Sequence, residues 1–109
     1  MGRRFLILAL LVVSAVAAAP AAGARTATTV VIRNIDFSRH TVRIHRGESV
    51  RWRFADAGVS HNVTSRGRPH FRSSKSMLTG TYTVRFTRPG TYRYVCTIHP
   101  NMKGRVIVG

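Results

Sequence analysis

One short segment near the C-terminus carries side chains that could bind a transition metal. Cys96 is followed by His99 and Met102 at intervals of three residues, and His61 stands upstream beside Asn62. A thiolate, two imidazoles and a weakly bound thioether are together the donor set that suits copper in electron-transfer sites. The chemistry predicted from these residues is therefore the gain and loss of one electron at one copper ion per chain, cycling between Cu(I) and Cu(II).

Cysteine usage favours metal binding over a packing role. A Cys often behaves as a small buried hydrophobe, and a Met often fills a gap in a core. Cys96, however, is the only Cys in the chain, so it cannot form an internal disulfide. In an exported domain, an unpaired Cys indicates a thiol with another task. Zinc also binds Cys and His, but Met is a poor fourth ligand for it, which favours copper.

The N-terminus has the pattern of a secretory leader. Residues 1–4 are basic, residues 5–19 are apolar apart from one Ser, and residues 22–24 are small, as at a cleavage site. We interpret residues 1–24 as a signal peptide and residues 25–109 as one mature domain, which is periplasmic or extracellular and could associate with the cell surface. The apolar run is shorter than the ~20 residues of a spanning helix, so we expect no transmembrane segment. The two Arg of the basic region leave twin-arginine export open beside the general secretory route.

Beyond the leader, apolar and polar residues alternate with the two-residue period of half-buried strands. The predicted strands are Thr29 to Arg33, Val42 to Arg46, Val50 to Phe54, His61 to Thr64, Tyr82 to Phe86, Tyr92 to Cys96 and Arg105 to Val108. Gly and Pro turn signals separate them, and no long amphipathic helix is present. This pattern predicts an all-β antiparallel sandwich or barrel of about seven to eight strands.

Strand register predicts where the candidate ligands lie. Tyr92, Tyr94 and Cys96 share one face of their strand, and Arg93 occupies the other. Cys96 is therefore expected to point inward at the end of that strand, where the following loop could wrap the other ligands around an ion. Trp52 alternates with two apolar neighbours, so we assign it to the core and not to a redox role.

The chain is strongly basic. Its formal net charge is +15, and removal of the two leader arginines leaves +13 on the mature domain with His neutral. Several arginines alternate with inward apolar residues, which explains their spacing but not their excess: Arg43, Arg51, Arg53, Arg85 and Arg93. A field of this sign attracts acidic partners and also anionic surfaces and polymers. Binding to nucleic acid would explain the charge, but it leaves Cys96, His99 and Met102 unexplained.

Three segments together resemble the cupredoxin family of blue copper proteins: Val42 to Trp52, His61 to Val63, and Pro89 to Gly104. The short Cys-x-x-His-x-x-Met loop is closer to amicyanins than to plastocyanins or azurins, whose ligand loops are longer. The resemblance implies a Greek-key β-sandwich. It also implies a metal site and its hydrogen-bonded support, with His61, Cys96, His99 and Met102 as the copper ligands and Asn62 and Thr97 as the residues that hold the site rigid.

The function expected from these observations is that of an exported, monomeric type 1 copper protein. It would carry one electron at a time between redox partner proteins with acidic docking surfaces, would not bind nucleic acid, and would not be an enzyme. The alternatives are an extracytoplasmic copper-binding or copper-delivery protein and, less favoured, a cationic binder of nucleic acid or anionic surfaces. A delivery protein need not give an intensely coloured Cu(II) form, so the visible spectrum discriminates between the first two.

Overall fold

The computed structural model describes residues 2–3, 7–13 and 26–109. Most of the leader assigned to residues 1–24, including its cleavage site, lies outside these described residues. Within them the regular structure is entirely β-strand, and no helix is long and apolar enough to cross a membrane.

Eight strands form two four-stranded sheets, so the predicted all-β sandwich is confirmed. The strands are β1 (Ala27–Arg33), β2 (Asp36–Phe37), β3 (Thr41–Ile44), β4 (Ser49–Phe54), β5 (Thr64–Arg66), β6 (Gly80–Arg85), β7 (Gly90–Val95) and β8 (Lys103–Val108). The first sheet has the order β2-β1-β4-β6, and the second has the order β3-β8-β7-β5.

Two strand pairs are parallel within this sandwich. β1 pairs with β4 and β3 pairs with β8 in parallel, whereas the remaining pairs are antiparallel, as the alternation predicted. The chain leaves the first sheet after β2, contributes β3 to the second, and returns as β4. β4 therefore lies beside β1 through a crossing between sheets and not through a hairpin, which would require antiparallel strands.

One predicted strand, His61 to Thr64, overlaps an observed strand at Thr64 alone, and one observed strand, β2, was missed. The segment from His61 to Thr64 forms a single bridge to Met77, and β5 begins only at Thr64. His61, Asn62 and Val63 are all buried, so they do not alternate between buried and exposed as strand residues do. β2 has two residues, too few to produce a visible pattern. The other predicted strands each overlap an observed one.

The core lies between the sheets and is centred on an aromatic cluster. Trp52 is fully buried, which confirms its assignment to the core. Its ring stacks on Phe71 at a centroid distance of 5.7 Å and meets the edge of Tyr94 at 5.2 Å. Contacts of this kind add about 0.5–1.5 kcal/mol each beyond area burial. The cluster joins β4 to β7 just before β7 ends at the ligand loop.

Tyr94 packs directly against the backbone of Gly104. The two residues face each other across β7 and β8, and a Cβ added to Gly104 would lie 2.5 Å from the Tyr94 hydroxyl oxygen. That hydroxyl is buried without a hydrogen-bond partner, and burial raises the pKa of Tyr94 to about 12. Gly104 is therefore required by close packing, since any larger side chain would displace the ring.

We expect Gly104→Ala to destabilise the metal-free protein by about 1–3 kcal/mol, because the added methyl group overpacks the core against Tyr94. Urea denaturation measures the change. Gly109→Ala is the matched control: its Cβ would meet nothing closer than the Ile44 carbonyl oxygen at 4.0 Å. The control should cost less than about 0.5 kcal/mol. Equal costs for the two variants would contradict the packing argument.

Candidate metal centre

The loop between β7 and β8 has a compact, closed geometry. The Cys96 N–H donates to the Met102 carbonyl oxygen at 2.9 Å, which closes the loop and places these two residues side by side. Asn101 has a φ of 64°, a left-handed conformation that Asn tolerates better than most residues. The loop can therefore turn back sharply and return its last residue to the end of the sheet.

Three donor atoms converge at this end of the sandwich. The Cys96 Sγ lies 3.6 Å from Nδ1 of His99 and 3.8 Å from Nδ1 of His61. One donor atom from each of these three residues lies within 4.8 Å of the other two. Both imidazoles thus present the same nitrogen to the thiol, as they would if all three bound one ion. The side chain of Met102 is buried, and the residue lines the same hollow as Cys96 and His99.

The candidate ligands differ in their access to solvent. His61, Cys96 and Met102 are 0%, 3% and 2% exposed. His99 is half-buried, and its neighbour Ile98 is 45% exposed. The centre therefore lies beneath the protein surface and reaches solvent on the side of His99. Burial strengthens electrostatic interactions and excludes water from the thiol.

Asp56 supports His61 from behind, a role that the sequence interpretation missed. Its Oδ2 lies 2.8 Å from His61 Nε2 and also accepts a hydrogen bond from the Ile35 backbone N–H at 2.9 Å. These bonds, with the Ile35 bond the larger cause, lower the pKa of Asp56 below its ordinary value. An ionised carboxylate only accepts, so the His61 proton lies on Nε2 and leaves Nδ1 free to bind a metal.

The turn that supplies the Ile35 N–H is itself unusual. Asn34 and Ile35 have φ values of 54° and 53°, in the left-handed region. That region is uncommon for a β-branched residue such as Ile. The hydrogen bond to Asp56 stabilises this conformation, and it connects the turn between β1 and β2 to His61.

The one sequence signal for Asp56 was the rarity of acidic residues, since the chain has only three of them.

A buried amide links the His61 segment to the ligand loop. Asn62 Nδ2 donates to Thr97 Oγ1 at 2.7 Å, and Asn62 Oδ1 accepts from the Thr97 backbone N–H at 3.0 Å. The Thr64 hydroxyl donates to the same Oδ1 at 2.7 Å. The residues adjacent to His61 and Cys96 are therefore tied by two bonds. A buried network whose members are satisfied restricts movement of the groups it joins.

Comparison with known proteins places this architecture among copper proteins. The pattern that defines the cupredoxin-like domain matches residues 5–108. Amicyanin-alpha of Methylorubrum extorquens is 41% identical over 85 residues, which cover 74% of this chain and 71% of that protein. The reduced Cu(I) form at pH 4 of an amicyanin mutant superimposes with a TM-score of 0.69 at 30% identity, over 79% of this chain and 85% of the other. A purple cupredoxin from Nitrosopumilus maritimus gives a TM-score of 0.67 at 27% identity, over 75% of this chain and 99% of that one.

Removing the Asp56 carboxylate should weaken metal binding. We expect Asp56→Ala to lower copper affinity by about 10- to 100-fold, because His61 loses the acceptor that fixes its ring and proton. Asp56→Asn keeps an oxygen that can accept both bonds, so its loss should be smaller. Cu(I) titration against a competing chelator measures both. The control is Asp36→Asn, whose carboxylate contacts exposed His40. Unchanged affinity in Asp56→Ala would refute the supporting role.

Proposed function

The chain belongs to the cupredoxin-like family, and from this premise we propose that it is a type 1 copper protein that carries one electron at a time between redox partners. It is an electron-transfer protein and not an enzyme. The observation that carries the proposal is the buried Cys96 thiol facing Nδ1 of both His61 and His99. A thiolate with two imidazoles is the equatorial donor set of such copper sites.

We assign the copper ligands to His61, Cys96, His99 and Met102. The donors fit copper because thiolate and thioether are soft ligands, and imidazole suits copper as well. Copper bound there supplies the one-electron exchange between Cu(I) and Cu(II). Met102 would supply the weakly bound fourth donor, and its closeness to Cys96 rests on the backbone bond that closes the loop.

The supporting residues keep the site nearly unchanged between oxidation states. Cu(I) and Cu(II) favour different geometries, so a site that holds its ligands between these preferences moves little when an electron arrives. Asn62 holds the ligand loop against the His61 segment, and Asp56 fixes the ring of His61. The protein's part in the chemistry is to orient these donors, direct Nδ1 of His61 toward the thiol, and exclude water from the thiol.

Electrons would enter and leave on the side of His99. Among the proposed ligands His99 has the greatest exposure, and exposed Ile98 and Pro100 flank it. Apolar residues around a half-buried imidazole allow a partner to approach closely without desolvating charges. We propose this apolar rim as the electron-transfer contact.

We also propose that the protein works outside the cytoplasm, as a monomer, with residues 1–24 removed as a leader and residues 25–109 retained. The basic start, apolar run and small residues of the leader support export. The net charge of +13 on the remaining domain supports redox partners with acidic docking surfaces.

The protein should bind one copper per chain. Its Cu(II) form should show an intense thiolate-to-copper band in the visible spectrum and give reversible voltammetry. Cys96→Ser should abolish the band because the thiolate supplies the transition. The control is His70→Ala, which changes an exposed His of the loop between β5 and β6. A colourless wild-type protein with irreversible voltammetry would favour copper delivery instead.

Export should leave a mature protein that begins at Arg25. Intact-mass spectrometry of the protein recovered from the periplasmic fraction checks this, because removal of residues 1–24 sets its mass. Ala24→Arg should leave the precursor uncut, since signal cleavage needs a small residue there. Ala27→Arg, at the start of β1, is the matched control and should be processed normally. Full-length wild-type protein in that fraction would contradict the assignment.

A further inference from the structure

Three arginines face one another across the second sheet. Arg66 on β5 pairs in register with Arg93 on β7, and Arg93 pairs with Arg105 on β8. All three are exposed. Residues directly opposite in antiparallel strands have Cβ atoms about 5 Å apart, where like charges repel. We refer to Arg66, Arg93 and Arg105 as the arginine row.

The first sheet shows that a high arginine content does not by itself require such a row. Its strand arginines Arg33, Arg51, Arg53 and Arg85 are also exposed, but no arginine stands opposite them. Their register partners are Asp36 for Arg33, Thr29 and Thr83 for Arg51, Val31 and Thr81 for Arg53, and Ser49 for Arg85. Among the described strands, only those of the second sheet place arginines directly opposite one another, where like charges repel.

No carboxylate within the described part of the chain relieves this repulsion. The acidic side chains are engaged elsewhere: Asp36 with His40 at 2.8 Å, Asp56 with His61 at 2.8 Å, and Glu48 with the His45 backbone N–H. Among the described residues, no Lys or Arg lies within 4.0 Å of an acidic oxygen. The row therefore presents uncompensated cations to whatever approaches this face.

A groove runs along the row and adjoins the hollow beside the ligand loop. It has a volume of about 520 Å³ and is lined by the row together with His40 and Lys103. Arg105 is held in place because its Nε donates to Thr41 Oγ1 at 3.1 Å. Arg66 and Lys103 also line the hollow beside Cys96 and Met102. A ligand in the groove would thus lie next to the ligand loop.

We propose that the arginine row is the docking site for a carboxylate-rich surface on the redox partner, an assignment that rests on the proposed electron-transfer function. Guanidinium groups bind carboxylates through paired hydrogen bonds, and a row of them orients an acidic strip along the sheet. Carboxylates there remove the repulsion and bring the partner beside the ligand loop. Positive potential at that position also raises the encounter rate.

Nucleic acid is the less suitable occupant. Binding of single strands combines a basic groove with aromatic side chains on which bases stack. The aromatic residues of the described chain are buried, apart from half-buried Tyr82 on β6 in the opposite sheet. The groove offers cations without a stacking surface, and this favours carboxylates.

The test compares two doubly substituted proteins of equal net charge. Arg66→Gln/Arg93→Gln disrupts the row, and Arg51→Gln/Arg53→Gln removes two exposed arginines from the first sheet. Each protein, in its Cu(I) form at low salt, is titrated with a hexaglutamate peptide and followed by amide chemical shifts. We expect the row variant to bind about tenfold more weakly than wild type and the control to change much less. Equal weakening would show that net charge alone attracts the peptide and would overturn the proposal.

Thermal unfolding provides a second measurement. Relief of repulsion should raise the midpoint of the row variant above that of the control at low salt, and salt should remove the difference. Hexaglutamate should raise the wild-type midpoint but not that of the row variant. A row variant less stable than the control would overturn the account of uncompensated repulsion.

Three further outcomes separate the possible failures. Tighter binding of an oligothymidine of equal charge than of hexaglutamate would assign the row to phosphates and overturn the carboxylate assignment. A coloured, reversibly reducible protein with no selective loss in the row variant would refute the docking site alone. A protein without the copper band that still loses peptide binding in the row variant would refute the proposed electron transfer and leave an acidic-surface site.

Discussion

The pairing of Asn62 with Thr97 is the interaction on which the candidate centre depends. These residues are 35 positions apart, and each is adjacent to a proposed ligand, His61 in one case and Cys96 in the other. The amide accepts from the Thr97 backbone N–H and donates to the Thr97 hydroxyl, so it fixes both the distance and the rotation between the two segments. This link therefore joins the ligand loop directly to the His61 segment. The link is expensive to break because Asn62 is buried, so its freed amide groups would lose these partners.

Asp56 and its hydrogen-bond partners give the metal centre further support on the side of His61. Asp56 holds His61 from the side away from the thiol and is itself anchored by the turn between β1 and β2. The support therefore passes from the edge of the first sheet, through a carboxylate and an imidazole, to a thiol at the end of the second. An electron carrier benefits from such an arrangement because small movements on oxidation and reduction keep electron transfer fast. The arrangement also explains how a small domain without a disulfide can maintain donors at fixed separations.

The distribution of charged residues is a second feature of the structure, separate from the rigidity of the metal centre. The chain has few acidic residues, and those it has are used on His side chains or on backbone N–H groups within the fold. Arginines are thus left without counter-charges, and the two sheets differ in how they distribute them. The first sheet places neutral or acidic residues opposite its strand arginines, whereas the second aligns three arginines across three strands. The concentrated positive charge lies beside the ligand loop. A partner bound to it would therefore be close to the side from which the electron would leave.

Local spacing in the sequence was sufficient for the features that depend on neighbours along the chain. Alternation predicted most strands and the burial of Trp52, and the spacing of Cys96, His99 and Met102 indicated a soft metal site, because a short closed loop brings such residues together. The tertiary structure alone decided the parallel pairings, the short β2, the support of His61 by Asp56, and the alignment of Arg66 with Arg93 and Arg105. Each of these depends on which distant segments become neighbours. Strand pairing and loop packing set that adjacency, and a pattern of period two along one strand carries no information about the strand that will lie beside it.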